Sequence, residues 1–260
     1  MNGLDALVQE AARTLNAARS LVVSTGAGIS KESGIPTFRD APNALWENYD
    51  PEELASPGGF IRNPGLVWQW YNDRRAMIAA AIPNPGHHAI AQLQGMFDRF
   101  TLITQNIDNL HRRAGSKDVI EIHGNIFKYK CFDNHHPIEE LPAGDAVPPR
   151  CVCGSLIRPD VVWFGEQMPE DPIARAYRAL HACDVILVVG TSGTVVPAAY
   201  FPSIAKSEGA AVIEINPLES QITRESDIFL QGPAGEVLPR LLAALEKLRE
   251  EPFDSGDDNP

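Results

Sequence analysis

Short apolar runs, most of them continuous, constrain this chain most. They occupy residues 21–23 leading to Gly26, 100–104, 119–122, 161–164, 185–189, 211–215 and 228–230. A strand with one wet face alternates apolar and polar residues. Runs such as 185–189 do not alternate, so they belong to strands covered on both faces. Helical spacing fills several intervals: 5–18, where Leu7, Val8, Ala11, Ala12 and Leu15 recur, then 87–96, 173–181 and 199–207. Strands and helices in alternation predict an α/β fold with a doubly wound parallel sheet. Two stretches break the pattern. Residues 40–82 are rich in Pro, Gly and Trp around a predicted helix at 66–81, and 128–158 are proline-rich with three cysteines. Read as insertions, they divide the chain into a large domain (1–40, 84–123 and 160–249), a smaller inserted domain (41–83 and 124–159) and an acidic tail (250–260) expected to be disordered. At 260 residues and 44% hydrophobic content the chain can bury one substantial core and a satellite.

The balance of 22 basic against 34 acidic side chains, net −12, repels phosphate backbones and anionic lipid headgroups. Nucleic acid and membrane surfaces are therefore poor partners. No apolar run reaches the roughly 18 residues of a bilayer span, and no basic-then-apolar leader opens the chain, so a cytoplasmic protein is expected. Cys131, Cys151 and Cys153 gather in one stretch, which in that compartment points to metal rather than disulfides. Cys183 precedes an apolar strand and reads as a core residue.

Gly26-Ala27-Gly28 follows the first strand, where glycines let backbone approach a pyrophosphate and exposed N–H groups meet its charge. The third glycine of the usual dinucleotide fingerprint is missing, and a ligand-free strand-to-helix turn could use the same residues. The continuation is Ile29-Ser30-Lys31-Glu32-Ser33-Gly34-Ile35-Pro36-Thr37-Phe38-Arg39-Asp40. Gln105-Asn106-Ile107-Asp108 follows the strand 100–104, His123-Gly124 follows 119–122, and Gly190-Thr191-Ser192 follows 185–189. All sit just beyond carboxyl ends of strands, where a doubly wound sheet collects ligands. A histidine there, ordinarily near ~6.5, can take a proton near neutral pH, or can simply cap a turn. Asn106 and Asp108 could likewise cap the helix beginning at Leu110.

Together with Val161-Val162-Trp163-Phe164-Gly165-Glu166, these segments resemble the sirtuin family in order and spacing along nearly the whole chain. The resemblance implies a Rossmann-like large domain, a small domain made of a helical and a zinc-ribbon-like module, and NAD in the cleft between them. It implies NAD-dependent removal of acyl groups from protein lysines: the acyl oxygen attacks the ribose carbon that bears nicotinamide, and the products are nicotinamide, 2'-O-acyl-ADP-ribose and free lysine. In that reading His123 is the general base, Asn106 orients the ribose and a water, and Asp108 accepts a hydrogen bond from the nicotinamide carboxamide. Further NAD contacts are implied at Gly26, Ala27, Gly28, Ile29, Ser30, Ile35, Pro36, Gln105 and Ile107, and at Phe38 and Arg39 on a cofactor loop. Gly190, Thr191, Ser192, Asn216 and Ala234 complete the set. Val161, Phe164, Gly165 and Glu166 fall in the segment that pairs with an extended substrate peptide, a mode that gives affinity with little sequence selectivity.

Tyr71 and Arg74 stand three residues apart in the predicted helix 66–81 and so share a face. A guanidinium fork beside a phenol suits a carboxylate far better than a methyl. Tyr71-Asn72-Asp73-Arg74 is similar to the Tyr-x-x-Arg of succinyl- and malonyl-removing sirtuins, and Ala55 to a small residue that widens their acyl pocket. Succinyl and malonyl groups are expected beside acetyl. The alternative is that Tyr71 packs in the small domain while Arg74 or Arg75 is solvated.

The zinc site departs from the family. Cys151-Val152-Cys153 supplies one cysteine pair, but the other reads Cys131-Phe132-Asp133-Asn134, with Asn134 where a cysteine is expected. His135 or His136 could supply the fourth ligand; otherwise zinc is lost and three thiols pack together. Three rival functions stand beside the main one. A plain deacetylase is the nearest. A dehydrogenase would require an acidic residue at the end of its second strand, which is not evident. An NAD sensor or ADP-ribosyl transferase on the same fold would not call for the full set Asn106, Asp108 and His123.

Overall fold

Six of the apolar runs become one parallel sheet, with helices on both faces. The structure is a computed structural model that describes residues 3–36 and 51–250. Phe38, Arg39 and the tail beyond Glu250 lie outside the described residues. The chain opens with α1 (Gly3–Ala17), burying Val8, Ala11, Ala12 and Leu15, and passes through β1 (Ser20–Thr25) into a 3-10 helix at Ala27–Ser33. Next come α2 (Pro51–Leu54), α3 (Pro57–Arg62), α4 (Pro64–Ala80) and α5 (Pro85–Leu93). The middle of the chain forms β2 (Arg99–Thr104), α6 (Leu110–Arg113), β3 (Ile120–Glu121), β4 (Gly124–Cys131), β5 (Pro137–Ile138) and β6 (Ile157–Val161). The last third forms α7 (Glu170–Leu180), β7 (Val185–Val189), α8 (Phe201–Ser207), β8 (Ala211–Asn216), β9 (Ile228–Gln231) and α9 (Ala234–Glu250).

The large sheet has the order β3-β2-β1-β7-β8-β9, parallel throughout. Counting only its own strands, that is 3-2-1-4-5-6, so the winding reverses between β1 and β7 and opens a crevice at their carboxyl ends. On one face α1, α5 and α9 bury Leu15, Ile90 and Leu241 against Val23 and Leu187. On the other, α7 and α8 bury Leu180 and Phe201 against Ile186 and Val212. Burial on both sides is why the runs do not alternate.

A second, antiparallel sheet has the order β5-β4-β6. Here the structure differs from the sequence expectation. No strand covers 161–164: β6 ends at Val161, and the chain turns back through Gly165, at φ +84°. Val161 and Trp163 are apolar because both fill a third core with Phe60, Val67, Tyr71 and Ile126, which joins α3 and α4 to β4 and β6. β4 was not expected at all. Its Lys128 and Lys130 interrupt the apolar residues, as suits a strand of a small, partly wet sheet.

Candidate functional site

Four segments meet at the crevice and are stitched to one another mostly through backbone. Gly28 N–H donates to Gly190 O at 2.8 Å, and Gly26 N–H to Val189 O at 3.0 Å. A Cβ on Gly28 would stand 2.7 Å from Gly190 Cα, and one on Gly26 2.8 Å from Gly190 O. These glycines are therefore required by the neighbouring Gly190 loop, a reason that the pyrophosphate argument did not contain. Gln105 Nε2 donates to Thr191 Oγ1 at 3.0 Å, and Asn216 Nδ2 to Thr191 O at 2.7 Å. Ser192 shares a hydrogen bond with Thr194. Ala27 is half-buried at the start of the 3-10 helix, while Ile29 is buried beneath it. Ile35 and Ile107 pack in the third core, and the half-buried Pro36 ends that described stretch. Ala234 begins α9, buried, beside Gly86.

The expected catalytic trio lies within this network. Asn106 Nδ2 donates to Gly26 O (3.0 Å) and to Ser30 Oγ (3.2 Å), and Ser30 Oγ donates to Asp108 Oδ2 at 2.6 Å. Asp108 Oδ1 accepts the Leu110 N–H at 2.9 Å, so it does serve the start of α6. Burial pushes the Asp108 carboxyl above its ordinary value, while Ser30, the Leu110 amide and Arg74 pull the other way. His123 Nδ1 lies 3.0 Å from Gln105 O. A carbonyl only accepts, so Nδ1 carries the proton and Nε2 keeps its lone pair. Burial lowers the His123 pKa, and the Gln105 carbonyl opposes it.

Beside this crevice, α4 buries both Tyr71 and Arg74. Arg74 is therefore not solvated. Its guanidinium lies 5.4 Å from the centre of the Trp70 ring, and burial lowers its pKa against the pull of Tyr71 and Asp108. Tyr71 Oη accepts from Trp163 Nε1 at 2.8 Å, and burial pushes the phenol up to about 12. Ala55 O accepts the Phe164 N–H at 2.9 Å, leaving the Phe164 ring exposed. The Glu166 carboxylate turns inward: it accepts from Arg158 Nη2 at 2.9 Å and from Trp163 N–H at 2.8 Å. It braces the turn through Gly165, and Val161 packs in the third core.

The sulfurs of Cys131, Cys151 and Cys153 lie within 4.8 Å of one another. Three thiolate donors at that spacing fit zinc, which binds sulfur at about 2.3 Å. Burial pushes the Cys131 thiol up, but hydrogen bonds led by the Asn134 amide outweigh it and bring it to about 7. Asn134 Nδ2 stands 3.4 Å from Cys153 Sγ, and His136 Nε2 stands 3.1 Å from Cys151 Sγ. His135 is exposed, with φ +56°, and lines a separate groove of about 920 Å³ bordered by Glu121, Lys128 and Asp160. Of the two histidines His136 is the one drawn to the thiols. The large groove contains none of the expected NAD-binding residues.

The Sir2 family model matches residues 26–197. This chain belongs to the Sir2 family. It is 52% identical over 240 residues to NAD-dependent protein deacylase 2 of Pyrobaculum aerophilum, covering 90% of this chain and 94% of that one. It is 48% identical over 251 residues to the NAD-dependent protein deacylase of Pyrococcus abyssi, covering 93% and 99%. Among solved structures, a Sir2 homologue in complex with NAD superposes with a TM-score of 0.85 at 45% identity, covering 92% of this chain and 94% of that one. Sir2Af2 bound to a myristoylated histone peptide gives 0.75 at 37% identity, covering 95% and 99%.

Within the Sir2 frame, sequence reading missed several supports. Asn84 caps α5 and ties its Nδ2 to Ile29 O (2.7 Å), fixing the 3-10 helix that follows Gly26. Glu214 is fully buried and accepts from Asn216 (3.1 Å), Ser220 (2.5 Å) and Thr223 (2.6 Å). An acid inside an apolar strand was a readable signal, since a buried carboxylate must be fully hydrogen-bonded.

Proposed function

We propose that this NAD-dependent protein lysine deacylase acts on succinyl- and malonyl-lysine as well as acetyl-lysine, with His123 as general base. The observation that carries the chemistry is the His123 ring: Nδ1–H is spent on Gln105 O, so Nε2 is fixed as the proton acceptor. When bound, NAD supplies the ribose carbon that receives the acyl oxygen as nicotinamide leaves. The crevice fits it, with closely packed Gly26–Gly190 backbone and the hydrogen-bonded Gln105, Asn106 and Asn216 at one rim. His123 takes a proton from a ribose hydroxyl. Asn106, anchored through Nδ2, keeps Oδ1 as an acceptor for the ribose side. Asp108 has a lone pair left on each oxygen for an amide N–H. Cys131, Cys151 and Cys153, with His136 beside them, would hold zinc in the small sheet, away from these proton steps.

For the acyl group, the supporting observation is Arg74 buried on the same helix face as Tyr71. Tyr71 accepts from Trp163, so its own O–H remains available to donate. A carboxylate can receive that O–H together with the guanidinium, in surroundings dry enough to strengthen both. The relative bound to a myristoylated histone peptide makes a long apolar acyl group the rival reading. Catalytic efficiency on matched acetyl-, succinyl-, malonyl- and myristoyl-lysine peptides decides. Hydrogen bonds to a charged group contribute about 1.5–3 kcal/mol, so Arg74→Met should cut succinyl efficiency roughly 10- to 150-fold and acetyl efficiency little. Equal losses on both, or a wild-type preference for acetyl or myristoyl, would sink the acidic-acyl assignment.

A further inference from the structure

The catalytic turn rests on a buried chain of hydrogen bonds whose donors and acceptors run in one sense. Thr25 ends β1 and Thr104 ends β2, and the two are register partners. Thr25 Oγ1 donates to Thr104 Oγ1 at 2.9 Å, and Thr104 Oγ1 also accepts the Asn106 N–H at 3.0 Å. Since the one hydroxyl proton of Thr25 goes to Thr104, the contact of 2.9 Å between Thr25 Oγ1 and His111 Nε2 must have the imidazole as donor. His111 is therefore the Nε2–H tautomer, 2% exposed, on α6. His87, also fully buried, accepts the Asn84 N–H on Nδ1 at 3.4 Å, so its proton sits on Nε2 as well. The ring atoms left over, His87 Nε2–H and His111 Nδ1, are a donor and an acceptor on rings 4.9 Å apart.

The two threonines sit under both halves of the reaction site. Gly26, next after Thr25, offers its carbonyl to Asn106 Nδ2; Gln105, next after Thr104, offers its carbonyl to His123 Nδ1. We infer that His111 is a positioning residue for the deacylation reaction: through Thr25 and Thr104 it clamps the ends of β1 and β2 and so sets the aim of Asn106 and His123. None of these three side chains need touch substrate. Removing the clamp should loosen a geometry in which a shift of about 1 Å costs up to about 100-fold in rate.

The inference rests on the role given to Asn106, so the test carries Asn106→Ala as a reference. Turnover of an acyl-lysine peptide with NAD is measured for Thr25→Val, His111→Phe, their double variant and His111→Gln, whose amide N–H can replace Nε2–H. Expected are losses of about tenfold in kcat for Thr25→Val and for His111→Phe, with peptide KM moved less than about twofold. The double variant should be no slower than the worse single, and His111→Gln should recover to within about threefold of wild type. Full turnover in Thr25→Val, multiplying losses in the double variant, or a His111→Gln as slow as His111→Phe would overturn the clamp. Should His111→Phe fail to fold, Thr25→Val against His111→Gln still decides. Full turnover in Asn106→Ala would instead overturn the role of Asn106 itself.

Discussion

The crevice of the parallel sheet and the cysteine cluster of the small sheet are held together in opposite ways. In the crevice, the side chains that matter lean on backbone supplied by other strands and loops: His123 on Gln105, Asn106 on Gly26, Asn216 on Thr191. Such partners are present whether or not a ligand is bound. Around the cysteines the backbone is paired, with Cys131 opposite Ile157 and its N–H bonded to His136 O. But β5 is two residues long, and the sulfurs themselves face one another, Asn134 and His136 at 3.1 to 3.9 Å. The side chains of one site are held by the fold's backbone; those of the other gather donors that a metal would tie together.

Removing metal should therefore have the largest and most local effect. Structural zinc contributes apparent free energies on the order of 10 kcal/mol to small modules. Chelation or Cys153→Ser should abolish bound zinc and strip hydrogen-exchange protection from β4 and β6. Affinity for NAD, read by calorimetry, should stay within about threefold, as expected of a segment that opens by itself. A collapse of NAD affinity in parallel would show that the two regions are one cooperative unit and erase the contrast. His136→Ala should weaken zinc retention and His135→Ala should not; the reverse would move the fourth ligand.

His123→Ala breaks the other side. Removing the proposed general base should slow deacylation about 10²- to 10⁴-fold while leaving the melting temperature in place, because the ring makes one backbone bond and its neighbours hold each other. A large loss of stability would mean that the crevice is less self-supporting than its bonds suggest.

Acid should distinguish the regions too, since His87 and His111 lie beneath the crevice. Burial, reinforced by His88, lowers His87 to about 4; burial, reinforced by His87, lowers His111 well below its ordinary value. Both regain about 6.5 on unfolding, so below that pH the unfolded chain binds more protons than the native one. Stability from His87 is complete above about pH 6.5 and falls as pH drops toward 4, by roughly 3 kcal/mol in all. Urea midpoints across pH 4.5 to 7 should show a shallower fall for His87→Leu than for wild type. Parallel slopes would place the charge elsewhere.

How much of this was legible before the structure depended on what each residue answers to. The strands 185–189 and 211–215 were readable because burial on both faces leaves a local mark. The crevice residues followed because a doubly wound sheet gathers strand ends. That Glu166 braces Arg158 and Val161 fills a core was not readable, since partners eight residues away or on other elements leave no local pattern. Thr25, Thr104 and His111 were invisible for the same reason: their meeting depends on strand register, which the two runs do not encode individually.

The smallest expected effect tests the glycine turn. Gly28 has an ordinary negative φ, so alanine there meets no backbone strain; what it meets is Gly190 Cα at 2.7 Å and Gly190 O at 2.7 Å. Both are backbone atoms of a loop fixed by β7 and β8, with Gly190 N–H bonded to Ile215 O at 3.0 Å, so the loop cannot step aside cheaply. Overpacking of this kind costs about 1–3 kcal/mol, or roughly 2–10 °C of melting temperature for a chain of this size. If the glycine served only a pyrophosphate, Gly28→Ala would leave the melting temperature of the ligand-free protein unchanged and act on NAD affinity alone. A drop in the ligand-free protein, of similar size with NAD present, places the requirement in the contact between the two loops, and with it the claim that this crevice is formed before its cofactor arrives.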